Sequence, residues 1–256
     1  MPAPSSTYLG FDANDYPGDA TLPSLKKTFS FAGFWLNAPP GASANSWSRK
    51  RAVLRDSGFG FLVLFDGRLD RELKKPADPA AVGANDARIA VKSAREEGFH
   101  PRTIIFLDLE EGGRMLPEQN AYIFAWIDGV TASGFRPGIY CSGMPASEGK
   151  GVLVITAVDI RSHAAGREIA FFVYNDACPP SPGCVYSAHP TQPPASGVPF
   201  ASVWQFAQSP RRRPFTSHCR STYSSNGNCY APGSRPGSPF LDLDSATSPD
   251  PSHGRD

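Results

Sequence analysis

Short apolar runs recur along the chain, separated by stretches with helical spacing or by segments rich in Pro, Ser and Gly. The runs predict strands at 8–12, 31–36, 60–65, 103–109, 137–141, 169–174, 202–206 and 240–243. Between them one signal appears three times: a helix-like stretch closes on Gly58-Phe59, Gly98-Phe99 or Gly134-Phe135, and an apolar strand follows within a few residues. Glycine just past a helix takes the left-handed conformation that ends it, and the next apolar residue packs back on the last turn. Before Gly98, the residues Ala84, Ala87, Val91 and Ala94 recur at steps of three and four, one face of a helix. Alternating helix and strand units predict a parallel sheet with covering helices.

The number of strands for a chain of 256 residues predicts an α/β fold, a single (β/α)8 TIM-type barrel. Segments 175–200 and 207–239 lack helical periodicity and read as irregular, disulfide-tied loops replacing outer helices near the C-terminus. The expected organisation is an N-terminal extension over 1–7, the barrel over 8–244 and a disordered tail over 245–256.

Barrel chemistry belongs at the C-terminal strand ends, so acids placed there carry weight. The most informative segment runs Ile104 to Leu109 and on to Glu110, an apolar strand leading into Asp108 and Glu110. Two residues apart on a strand, these carboxyls emerge on one face. Side by side near apolar walls, they push each other's pKa values apart, which an acid-catalysed hydrolase needs. Asp12 and Asp242 likewise follow apolar strand residues directly, whereas Asp15, Asp66 and Asp244 are accounted for by turn and capping chemistry. Tyr16, Trp35, Tyr140, Tyr174 and Trp204 fall at or beyond strand ends, where flat rings suit the C–H faces of sugars.

Composition narrows the partners. A net charge of +1 with 19% charged residues gives no global field for nucleic acid. There is no apolar stretch of membrane-spanning length, and no nucleotide-binding glycine motif. No zinc-type cysteine spacing or H-E-x-x-H occurs, so neither a metal site nor another cofactor is expected. Cys178 and Cys184 bracket one loop and Cys219 and Cys229 another; two local disulfides are expected, with other connectivities open and Cys141 left over. That cysteine usage favours export, although residues 1–8 lack the features of a signal peptide. A nucleophilic hydrolase built on Cys141 lacks a histidine partner that sequence reveals, and His163 reads as a helix-end cap.

Taken together, Leu9-Gly10-Phe11-Asp12 with the following Ala13 to Gly18, Phe34-Trp35-Leu36, Phe106 to Glu110, Gly138-Ile139-Tyr140 and Val203-Trp204-Gln205 resemble the glycoside-hydrolase-like family known as domain of unknown function 1906. That family is similar in turn to the family 25 glycoside hydrolases, the peptidoglycan muramidases. The resemblance covers nearly the whole chain, from about Tyr8 to Asp244. It implies that Glu110 is the proton donor and Asp108 its partner, positioning substrate or stabilising positive charge. It further implies that Asp12, Asp242, Trp204 and Gln205 line the site. The strand-end aromatics Tyr140, Trp35 and Tyr174 are expected to join them as rings for sugar. The expectation is a secreted or cell-envelope monomer acting on a polysaccharide such as peptidoglycan, either hydrolysing it or, as an inactive barrel, binding it.

Overall fold

Strict alternation of inward and outward side chains organises the barrel. The computed structural model describes residues 6–234 and 237–256. Residues 1–5 of the expected extension lie outside the described residues, while Thr7 is buried and donates its hydroxyl to the Pro190 carbonyl at 2.6 Å. Eight strands close the barrel: β1 (Tyr8–Asp12), β2 (Phe31–Trp35), β3 (Gly60–Asp66), β4 (Ile104–Asp108), β5 (Arg136–Ser142), β8 (Ala170–Tyr174), β9 (Val203–Ala207) and β10 (Asp242–Ala246). A small hairpin of β6 (Pro145–Ser147) and β7 (Leu153–Ile155), not anticipated in the sequence, lies outside it.

The outer layer is uneven. Helices α4 (Pro79–Glu97) and α5 (Pro117–Ala132) are long, whereas α1 (Leu22–Leu25), α2 (Arg51–Asp56), α3 (Asp70–Leu73) and α6 (Thr156–Ser162) are short. Gly58, Gly98 and Gly134 all have positive φ, and Phe59, Phe99 and Phe135 behind them are buried, as the repeated signal predicts. The buried face of α4 is Gly83, Asp86, Ala87, Ala90, Val91 and Ala94; Ala84 is exposed, one position off the expected stripe. Gly83 allows that close approach, because a Cβ there would meet the Tyr122 carbonyl of α5 at 2.2 Å. Among the described residues, no α-helix follows β8 or β9; 3₁₀ turns at Pro193–Ser196 and Ser217–Thr222 stand in the irregular loops instead.

Two expectations need correcting. The sheet is not the all-parallel TIM arrangement, since β10 runs antiparallel to both β1 and β9. A parallel strand needs a crossover back to the start of the barrel. The chain after β9 makes none: β10 enters from the mouth and runs downward, antiparallel to both neighbours. The disulfides are not local either. Cys178 pairs with Cys219 and Cys184 with Cys229, so the two loops are tied to each other. Cys141 is free and buried.

The tail is also ordered. β3 and β4 pair only from Val63 and Ile105 upward, which leaves lower backbone groups open. Ser252 wedges there, accepting from Ile104 N and donating its own N–H to Phe61 O, both at 2.8 Å, while its hydroxyl accepts from Val63 N. Buried backbone groups need partners, and the tail supplies them. Among the described residues, no helix is long and apolar enough to cross a membrane.

Candidate active site

The barrel core rises as a layer of aromatic rings directly under a ring of acids. Phe31 and Phe106 occupy the space that Cβ atoms on Gly10 and Gly138 would need, and Phe172 packs edge-on to Phe106. One layer higher, the inward positions are Asp12, Trp35, Leu64, Asp108, Tyr140, Gln205 and Asp242, which line a cleft of about 450 Å³ together with Glu110. Asp12 reaches that layer because its neighbour across β2 is Gly33, where a Cβ would lie 2.5 Å from the Asp12 Cβ. The indole N–H groups of Trp35 and the fully buried Trp47 both donate to the Ala13 carbonyl at 3.1 Å, fixing the loop after Asp12.

Gln205 is the hub of the network. Its amide donates to Asp12 Oδ2 at 2.8 Å and to Asp242 Oδ2 at 3.3 Å. Its Oε1 accepts from the Tyr140 hydroxyl at 2.7 Å and from Gln208 Nε2 at 2.9 Å. The Ser209 backbone N–H donates to Asp242 Oδ1 at 2.6 Å, and the Ser209 hydroxyl bridges Leu241 O and Cys229 N. A disulfide-bonded cysteine thereby braces the wall that holds Asp242.

Asp12, Asp15, Asp108, Glu110 and Asp242 line this mouth, with Asp66 close to Glu110 and Asp244 beneath Asp12. Burial pushes Asp12 up to about 6, against the hydrogen bonds from Gln205 and Asp244. Burial, then the charges of Glu110 and Glu72, lifts Asp66 to about 7. Asp108 is buried and held well above the usual carboxylate range, first by burial and then by the charges of Glu110, Asp66 and Asp12. Asp242 and Asp244 are raised likewise, by burial and by Asp12. Glu110 faces the open cleft, and burial of its carboxyl by the surrounding walls still raises it; a hydrogen bond from Asp108 and the charge of Arg212 oppose that rise. Among the described residues, the buried Asp108 Oδ1 has no hydrogen-bond partner. Tyr140 stays a neutral donor, since burial and the nearby acids push its phenol far up.

Of the residues singled out in the sequence, Asp12, Trp35, Asp108, Glu110, Tyr140, Gln205 and Asp242 meet at the cleft. Trp204 does not. Its neighbour Gln205 points inward, so Trp204 points outward, fully buried, with its indole donating to the Asn175 carbonyl and its ring against Phe206. Tyr174 lies beside the cleft rather than on its lining, tilted against Tyr140 and stacked under the Arg212 guanidinium. Tyr16 packs on Trp47 under Lys50. His163 caps α6 as expected, Nδ1 lying 2.8 Å from Asp159 O.

Sequence reasoning passes over Asn14, Gln208, Ser209 and Phe240, which also line the cleft. The Q-x-x-Q spacing of Gln205 and Gln208 past a strand end is the one signal that pointed to Gln208. Among the described residues, no group of three or more His, Cys, Asp or Glu is placed to hold a metal ion.

A family model described as an Rv2525c-like, glycoside hydrolase-like domain matches residues 39–171. That span includes Asp108, Glu110 and Tyr140. No curated protein matches the chain in sequence. Among solved structures, an uncharacterized protein of B. stearothermophilus is similar over 93% of this chain and 95% of its own, at 19% identity and a TM-score of 0.58. The Tat-secreted protein Rv2525c of Mycobacterium tuberculosis, in complex with L-tartrate, is similar over 96% and 97%, at 13% identity and a TM-score of 0.54. At such identities these structures establish a shared fold.

Proposed function

This chain belongs to the Rv2525c-like, glycoside hydrolase-like family, and on that premise we propose that it hydrolyses a β-1,4-linked N-acetylated glycan such as peptidoglycan by acid catalysis. The observation that carries the reading is the Asp108–Glu110 pair on the floor of an acidic cleft, one carboxyl buried and the other open to the substrate. In the proposed reaction, protonated Glu110 gives its proton to the glycosidic oxygen as the bond to the anomeric carbon breaks. Asp108, which holds its own proton more firmly, donates a hydrogen bond to Glu110 and so stabilises the carboxylate that forms. Water then adds to the anomeric carbon and its proton returns to Glu110. Asp12 and Asp242 line the same cleft, and Asp12, once ionised, supplies negative charge for the oxocarbenium-like transition state.

A second reading, a barrel that binds wall glycan without turnover, is favoured by one observation. The Asp108 hydrogen bond and Arg212 both favour an ionised Glu110, which cannot act as a donor. Export fits either reading: two disulfides hold the cleft wall, and a structural relative is described as Tat-secreted.

Release of reducing ends from purified peptidoglycan separates the two. Wild type should release them, and Glu110→Gln should fall by about 10²–10⁴-fold while still sedimenting with the wall. Sedimentation of both proteins with no release by either would leave the binding reading and withdraw Glu110 as the acid.

A further inference from the structure

Asp244 is the deepest acid of the cluster and takes no part in the reaction proposed for Asp108 and Glu110. Its side chain is fully enclosed, and among the described residues neither carboxyl oxygen receives a hydrogen bond from an N–H or hydroxyl group or pairs with a cation. Because β10 runs downward from the mouth, Asp244 lies two residues below Asp242 on the same interior face, opposite Gly10 of β1. Gly10 offers no side chain, and the space above it is filled by the Phe31 ring. On the other flank stands Gln205, whose amide is committed to Asp12 and Asp242. The titratable side chain set diagonally to Asp244 across the β1–β10 pair is Asp12, two residues above Gly10 on the same interior face and opposite Asp242, close enough for the two carboxyls to act on each other.

Two carboxyls hydrogen-bond only when one carries a proton. We infer that Asp244 is a positioning residue, a buried carboxylic acid that keeps its proton through neutral pH and donates it to Asp12. The proton belongs to Asp244 because the surroundings of the two acids differ. Asp12 lines the cleft and already accepts from Gln205 at 2.8 Å, which favours its anion. Asp244 sits opposite Gly10, whose place the Phe31 ring fills, and near the acids Asp12 on β1 and Asp242 on β10; both acids disfavour a further negative charge. Burial accordingly raises Asp244 well above the usual range, and Asp12 to about 6.

The consequence for catalysis rests on the proposed hydrolase reading. Held by the Gln205 amide on one side and the Asp244 hydroxyl on the other, Asp12 presents a fixed negative charge to the cleft. Preorganised charge of this kind stabilises a cationic transition state without reorganising during the reaction.

Infrared difference spectroscopy of the full chain at pH 7, Asp244→Asn against wild type, tests the assignment directly. The expected result is loss of one protonated-carboxyl C=O band with the carboxylate bands intact. Loss of carboxylate intensity instead overturns it. In the pH profile of glycan hydrolysis, Asp244→Asn, which still donates to Asp12, should keep the acidic limb where wild type has it. Asp244→Leu, which donates nothing, should move that limb upward by about one pH unit; identical limbs in all three proteins would count against the positioning role. The band loss observed in a protein that hydrolyses nothing would sink the hydrolase reading and leave the proton assignment standing. Should Asp244→Asn fail to fold, carboxyl-¹³C aspartate labelling of wild type decides the matter: a signal that is protonated at pH 7 and responds to Asp12→Asn supports the assignment, and uniformly ionised aspartates refute it.

Discussion

Gln205 shows how one uncharged side chain holds an acidic cluster together. It satisfies Asp12 and Asp242 as a donor and Tyr140 and Gln208 as an acceptor. Leucine at this position keeps the volume and removes every one of those bonds. The buried Tyr140 hydroxyl then loses its acceptor, and two carboxyls lose a donor. Gln205→Leu should therefore cost about 1–3 kcal/mol in chemical denaturation, and unchanged stability would mean that the network orients the site without stabilising the fold. The parity of strand positions made most of this site legible in the sequence. Asp12, Asp108, Tyr140 and Gln205 each occupy an inward register, and Glu110 follows Asp108 on the same face. Parity also explains the failure at Trp204: adjacent residues on a strand cannot both face the cleft, and Gln205 is the one that does. Asp66 failed for a different reason. An acid after a strand reads as turn chemistry, and only the fold buries Asp66, with Glu110 and Glu72 close by, and lifts it to about 7.

At the scale of elements, the first seven barrel strands were legible because each is a short apolar run between turn residues. The last, expected at 240–243, lies at Asp242–Ala246 and carries two acids and a serine, and neither its bounds nor its direction was legible. Direction depends on where the preceding connection ends, and 208–241 carries no helical period to show whether it crosses the barrel. The cysteine spacings misled for a related reason, since nearness in sequence suggested local closure while the fold sets the two loops against each other. The cross-linked pair has an energetic consequence at the cleft, because Cys229 N is bonded to the Ser209 hydroxyl and Ser209 N to Asp242. Replacing both Cys184 and Cys229 by Ser should lower stability by about 2–5 kcal/mol. It should also weaken glycan binding, as the Ser209 and Phe240 wall loosens. Calorimetry and wall sedimentation on the double variant measure the two effects separately. Loss of stability with binding intact would show that the loops hold the fold and leave the cleft independent of them.

For the whole molecule, the acid cluster sets a pH dependence opposite to that of a protein held by surface ion pairs. Asp12 titrates near 6 and Asp66 near 7 in the folded chain, against 3.8 for an unperturbed aspartate, and Asp108, Asp242 and Asp244 are raised as well. Between the unfolded and folded values the native state holds more protons than the unfolded chain. Stability therefore falls as pH rises through that window. The favourable contribution is complete below about 3.8 and is lost as the pH passes 6 to 7. The ion pairs of Asp19 and Asp128 have lowered values and act the other way, losing their contribution only in stronger acid, and both are exposed. The melting temperature should consequently be highest in mildly acidic buffer and decline toward neutrality, with Asp66→Asn flattening the upper part of the decline. Scanning calorimetry from pH 4.5 to 7.5 on both proteins checks this, and a melting temperature that climbed toward pH 7 would contradict the protonated cluster. The same protons serve the proposed chemistry, since a general acid in this cleft works only while Glu110 still carries one. Stability and turnover should therefore decline together as the cluster ionises.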